Sequence, residues 1–96
     1  MSVVIVGGHD RMVCKYKEIC KKHKCKAKIF TQMPANFKTM IGKPDLLILF
    51  TNTVSHKMVV SALQAVEKQN TIIKRCHSSS AYALKEILEG QCKAAV

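Results

Sequence analysis

The sequence predicts an α/β fold built on a four-stranded parallel sheet, and three observations predict it. Four short runs rich in apolar and β-branched residues, Val3–Val6, Cys25–Phe30, Leu46–Phe50 and Thr71–Cys76, have the length of strands. After each comes a segment whose apolar residues recur at helical spacing. The order is therefore β-α-β-α-β-α-β-α. Strands that alternate with helices need crossover connections, which makes the sheet parallel and leaves few topologies once the crossovers are right-handed. We expect the flavodoxin-like strand order 2-1-3-4 in a single three-layer domain spanning residues 1–96, with 91–96 as a loose tail.

Val3–Val6 is wholly apolar and β-branched and runs into Gly7-Gly8, so it reads as a strand buried on both faces and closed by a turn. Asp10 is placed to cap a helix over about Arg11–His23, with Met12, Val13, Tyr16, Ile19, Cys20 and His23 inward and Cys14 outward. Lys26 and Lys28 interrupt the second strand, as befits an edge that discourages pairing with other chains. Pro34 opens a short helix over Ala35–Ile41, which Gly42 ends and Pro44 forbids from continuing. Leu46–Phe50 is the most apolar stretch and is assigned to the interior of the sheet, with Thr51–Val54 as the loop after it. Ser55 caps a third helix carrying Val59, Ala62, Leu63 and Val66 at core spacing, and Asn70 is its expected left-handed stop. Ser78, Ser79 and Ser80 offer caps for a last helix to Glu89, with Leu84, Ile87 and Leu88 inward and Gly90 as terminator.

Ninety-six residues allow one domain, and 48% hydrophobic with 23% charged residues is ordinary globular composition, which excludes wholesale disorder. Sixteen Lys and Arg against six Asp and Glu give a net charge of +10, so a partner chosen by charge is anionic. No apolar run approaches the ~18 residues of a membrane span. There is no basic leader or cleavage site, so no signal peptide is expected, and five Cys without one fit a reducing cytosol better than a disulfide framework. A domain this small buries only roughly 65% of its unfolded surface. Its fourth strand is also a bare edge, and both points favour a homodimer.

Ligands of open α/β sheets bind beyond the carboxyl ends of the strands, where the strand order reverses. In order 2-1-3-4 that crevice receives Gly7, Gly8, His9 and Asp10 after the first strand and Thr51 to His56 after the third. The neighbouring fourth strand delivers Cys76, His77 and Ser78. Three of the four His thus follow three adjacent strands. Three imidazoles and a thiol at one rim suit a transition metal or a metallocofactor such as haem, and imidazoles also serve acid–base chemistry near neutral pH. His56 is the first candidate ligand, then His9 and His77, with Cys76 as a thiolate and Gly7, Gly8, Asp10, Ser55 and Ser78 lining or supporting the ligand. The plain alternative is that His is simply common in loops and that Ser55 is only a cap. No dense ligand motif such as H-E-x-x-H or paired C-x-x-C is present.

Other motifs weigh less. Gly7-Gly8-His9-Asp10 resembles a phosphate-binding turn but lacks the spaced glycines of G-x-G-x-x-G and the ending of a P-loop, so a tight strand-to-helix turn is the better reading. Cys76 before a small-residue loop resembles the Cys-based phosphatases, but Ala81 and Tyr82 stand where those need Arg. No G-x-S-x-G elbow accompanies Ser55-His56, and no catalytic residue is assigned. Cys20, His23 and Cys25 have metal-like spacing and read as buried small residues. Lys17, Lys21 and Lys24 share one side of the first helix, a basic face able to track a phosphate backbone, although 5% aromatics with no Trp gives little for base stacking. The bland reading of that face is a solvated Lys-rich surface.

Val4-Ile5-Val6-Gly7-Gly8 and Thr51-Asn52-Thr53-Val54-Ser55-His56 together resemble the short bacterial "domain of unknown function" family numbered twenty-three twenty-five. The resemblance covers nearly the whole chain, and V-S-H at Val54, Ser55 and His56 is its most specific piece. The family pattern leads one to expect Asp where this chain has Asn52, so no carboxylate role is assigned there. The resemblance implies a bacterial, intracellular protein and lends Ser55-His56 weight beyond capping. The expectation is a small binding module, non-catalytic or weakly catalytic, with a His- and Cys-rich rim site for a metal or metallocofactor. The rival is a regulatory domain that takes nucleic acid or a phosphorylated ligand on its Lys face.

Overall fold

The computed structural model describes residues 1–93, with side chains through residue 90. Its sheet has four strands, β1 (Ser2–Val6), β2 (Lys26–Phe30), β3 (Leu46–Phe50) and β4 (Ile72–Cys76), all parallel in the order β2-β1-β3-β4. Each strand bound lies within a residue of expectation, as assignments of ends allow. A short 3-10 turn (Asp10–Met12) leads into α1 (Val13–Lys22), and α2 (Phe37–Ile41), α3 (His56–Val66) and α4 (Ala81–Lys93) follow the later strands.

The pleat sorts the core into two layers. Val3, Ile5, Leu46, Ile48 and Phe50 turn toward α1 and α4, where Tyr16, Ile19, Cys20, Leu84 and Leu88 meet them. Val4, Val6, Leu47 and Leu49 turn the other way onto Phe37, Ile41, Met58, Ala62 and Val66 of α2 and α3. β3 is buried on both faces along its whole length, and each such side chain contributes about 1.5–3 kcal/mol of transfer free energy. Among the described residues no helix is long and apolar enough to cross a membrane.

Four local expectations are corrected. Asp10 does not cap α1. It lies inside the 3-10 turn that His9 opens, and its carboxylate instead accepts a hydrogen bond from Thr31 Oγ1 at the end of β2. α2 starts at Phe37, because Asn36 (φ −103°, ψ 35°) is not helical and Phe37 is drawn in edge-on against Phe30, centroids 5.2 Å apart. Asn70 is not left-handed; the described non-glycine residue with positive φ is Lys24, at φ 58°. There Lys24 turns α1 back so that the Cys25 N–H reaches the Cys20 carbonyl at 2.8 Å. Gly90 does not end α4, which continues to Lys93. A glycine costs an exposed helix only about 1 kcal/mol. The expected loose tail is thus helical over 91–93, and 94–96 lie outside the described residues.

Candidate functional site

The strand order sets β1, β3 and β4 side by side, so the loops bearing His9, His56 and His77 open on the same edge of the sheet. All three imidazoles are exposed. His56 is the first residue of α3, whose cap is Ser55: its Oγ accepts from the Met58 N–H at 3.2 Å. His77 and Ser78 follow β4 and are exposed, and the half-buried Cys76 donates from Sγ to the Ser78 carbonyl at 3.0 Å. His9, with Asp10, Arg11 and Met12, lines an open hollow of about 510 Å³. Among the described residues no three His, Cys, Asp or Glu side chains gather into a group that could hold a metal ion.

The Gly7-Gly8 turn is tight and internally satisfied. Gly7 (φ 105°) donates to the Phe30 carbonyl at 2.8 Å, and Gly8 (φ 89°) donates to Thr53 Oγ1 at 2.6 Å. Both N–H groups that a phosphate would use are therefore taken by the protein. Only glycine fits these positions, since a side chain at Gly7 would meet the Phe50 carbonyl and one at Gly8 the Tyr16 ring.

Tyr16 holds the rim together, a role its place in the sequence does not reveal. It is fully buried against Phe50, centroids 5.4 Å apart, and its hydroxyl donates to the Ser79 carbonyl at 2.5 Å. The first and fourth loops are thereby tied through one phenol. Burial pushes that phenol above its ordinary pKa, offset in part by hydrogen bonds with the His9 backbone and the Ser79 side chain.

The basic residues fall on two sides of α1. Lys17 looks over the β2 edge and lines a shallow trough with Lys28, Ile29 and Met40. Lys21 and Lys24 are exposed, Lys24 in the turn after the helix. On the opposite side, α1 and α4 enclose a cleft of about 210 Å³. Its floor is Ile19 and Ala81, its walls are His23 and Tyr82, and its rim carries Lys15, Lys22 and Lys85 with no carboxylate among the lining residues. The His23 ring is oriented by a hydrogen bond from Nδ1 to the Ile19 carbonyl at 2.9 Å. Tyr82 is 71% exposed although aromatic, and Lys22 makes a loose contact to Glu18 at 3.8 Å. Sequence reasoning missed this cleft because Lys15 and Lys85 meet only when α4 packs on α1; the signal available was an aromatic beside a lysine at Tyr82 to Lys85.

A family model described as an uncharacterized protein conserved in bacteria (DUF2325) matches residues 2–91. No curated protein matches the chain. Among solved structures, a de novo designed Rossmann 2x2 fold protein determined by solution NMR is similar, with a TM-score of 0.64 and 8% identity over 100% of this chain and 91% of the designed one. That likeness concerns the fold alone.

Proposed function

The chain belongs to that uncharacterized bacterial family, and from this premise we propose that it is a binding module for single-stranded nucleic acid, engaged through the cleft between α1 and α4. One observation carries the reading: three lysines surround an apolar floor with an exposed tyrosine beside it. Bases stack on such a ring whatever their sequence, and ammonium groups displace counterions from the phosphates. The cleft's 210 Å³ is below the ~300 Å³ at which sites for whole small molecules begin. It suits one base, with the flanking phosphates running out over the lysines. The net charge of +10 then serves association as well as solubility.

The test is fluorescence anisotropy with labelled oligo(dT) and oligo(rU) at several salt concentrations. Affinity falls steeply with salt, and changing Lys15, Lys22 and Lys85 together to Glu abolishes binding while changing Lys17 and Lys21 does less. Equal losses from both sets would reduce the cleft to one part of a diffuse basic surface.

A second reading stays with the rim, favoured by the strand order that lines up the loops of His9, His56 and His77. A bare ion needs a gathered ligand set, whereas haem arrives with four nitrogens of its own and asks the protein for one or two axial ligands. An absorption spectrum and metal analysis of the purified protein, with His56→Ala as the comparison, test it. A colourless, metal-free protein would retire this reading.

A further inference from the structure

Parallel strands are ordinarily covered on both faces, and β4 is not. Ile72, which faces the α1/α4 layer beside Leu46, is 43% exposed, and Ile73, which faces the α2/α3 layer beside Leu47, is 40% exposed. Lys74 and Arg75 are exposed as well. The backbone shows which groups point outward. The Ile72 N–H donates to the Asp45 carbonyl, and the Cys76 carbonyl accepts from the Thr51 N–H. Residues 72, 74 and 76 therefore turn their peptide groups to β3, and Ile73 and Arg75 turn theirs to the open edge. The other edge of the sheet is closed by comparison. In β2 the apolar side chains are half-buried or buried, and Lys28 is tied back to the Met40 carbonyl at 3.1 Å.

We propose that the β4 edge takes an extended acidic segment of another protein as a fifth strand, antiparallel to β4. Along each face of β4 an apolar residue precedes a basic one: Ile72 then Lys74 on one face, Ile73 then Arg75 on the other. Among the described residues neither cation has an ion-pair partner, and Glu86 lines the same trough as Lys74 without reaching ion-pair distance. A neutral or basic strand leaves both cations uncompensated, which is how basic residues on an edge discourage pairing. A strand that sets carboxylates opposite them turns the same two residues into favourable cross-strand pairs. A second β4 brings no carboxylate, so the charge that selects an acidic strand also rejects another copy of this one.

The direction follows from exposure. Both faces of β4 are open, so a strand added beyond it stays solvated. Antiparallel strands tolerate this, and many otherwise parallel sheets carry an antiparallel strand at the edge. In that direction the incoming chain meets Arg75 and Lys74 first, then Ile73 and Ile72. The pattern recognised is two acidic residues followed by two β-branched ones. The outward N–H and C=O groups of Ile73 and Arg75 supply the ladder, and the side chains supply the choice of partner. None of these residues lines the α1–α4 cleft, so this surface is separate from the nucleic-acid reading and does not depend on it.

The test is amide hydrogen exchange followed by NMR, with the peptide Thr-Glu-Glu-Val-Ile-Thr, its reversal Thr-Ile-Val-Glu-Glu-Thr and the basic counterpart Thr-Lys-Lys-Val-Ile-Thr. The first peptide should slow exchange at Ile73 and Arg75 several-fold, leave the inward Ile72 and Lys74 amides as they were, and lose its effect as salt rises. The double variant Lys74→Glu with Arg75→Glu should keep its circular dichroism spectrum, bind the acidic peptide at least about tenfold more weakly and gain binding of the basic one. No slowing at Ile73 and Arg75 at any peptide concentration overturns the proposal, as does a reversed-charge variant that still takes the acidic peptide. Protection without peptide that grows with protein concentration would give the edge to a second copy, and protection by oligo(dT) in place of the peptide would give it to nucleic acid. Either result overturns the proposal, and equal protection by the reversed peptide refutes the direction.

Discussion

Replacing Gly8 with Ala perturbs the turn on which the carboxyl edge is built, and the structure supplies each part of the cost. At φ 89° an L residue pays about 1–2 kcal/mol of backbone strain. The added Cβ would lie 2.7 Å from Tyr16 Cε2 and from its hydroxyl oxygen. The ring has nowhere to go, since it is fully buried, rests on Phe50 and is anchored at Ser79. Overpacking of this kind costs about 1–3 kcal/mol. The total, about 2–5 kcal/mol, is a large part of the roughly 5–14 kcal/mol expected for a domain of this length. At about 4–8 °C per kcal/mol, the melting midpoint should fall by about 8–40 °C. Thermal denaturation followed by circular dichroism measures it. A midpoint within about 2 °C of the parent would refute the reasoning, because neither the strain nor the contact could then be real.

Gly90→Ala makes the opposite case: a Cβ there meets nothing within 4 Å, so the substitution should stabilise the domain by about 0.5–1 kcal/mol in urea denaturation. Ser55→Ala removes the hydroxyl that accepts from Met58 and should cost about 1 kcal/mol in the same assay. Tyr16→Phe leaves the Ser79 carbonyl without its phenolic donor and should cost about 1–3 kcal/mol at neutral pH. The folded state holds the Tyr16 proton more tightly than the unfolded chain does, so this contribution is complete below the ordinary tyrosine pKa of about 10 and is lost as pH rises through the higher folded value. The gap between parent and Tyr16→Phe should accordingly narrow in alkali, as urea titrations at a series of pH values will show.

The parts of the fold that were legible in the sequence are those fixed by local pattern. Leu46–Phe50 is apolar at every position, so its place inside a parallel sheet follows from burial on both faces, and Ser55 caps α3 because the hydroxyl and the Met58 N–H lie three residues apart. Elements whose partner is distant in sequence were not legible. Asp10 has the look of a cap, but Thr31, twenty-one residues on, takes its carboxylate. Tyr16 reads as one more core residue, and nothing nearby tells that its hydroxyl ties down Ser79, sixty-three residues away. The helical wheel likewise selected Lys17, Lys21 and Lys24 because they lie opposite the core face, whereas Lys15 and Lys22 gain an aromatic and a third lysine only from the packing of α4. The line of His9, His56 and His77 was legible because strand order alone decides it.

The central claim, that the α1–α4 cleft takes a base of a single strand, is tested most directly through the chain's own emission. There is no Trp and there are two Tyr, of which Tyr16 is buried and Tyr82 exposed. Titration with oligo(dT) should quench the tyrosine emission as a base stacks on Tyr82. Tyr82→Ala, which changes no charge, should abolish the quenching and weaken binding roughly tenfold while leaving the salt dependence as it was. Emission that does not respond to the oligonucleotide, together with a Tyr82→Ala protein that binds as tightly as the parent, would contradict the account.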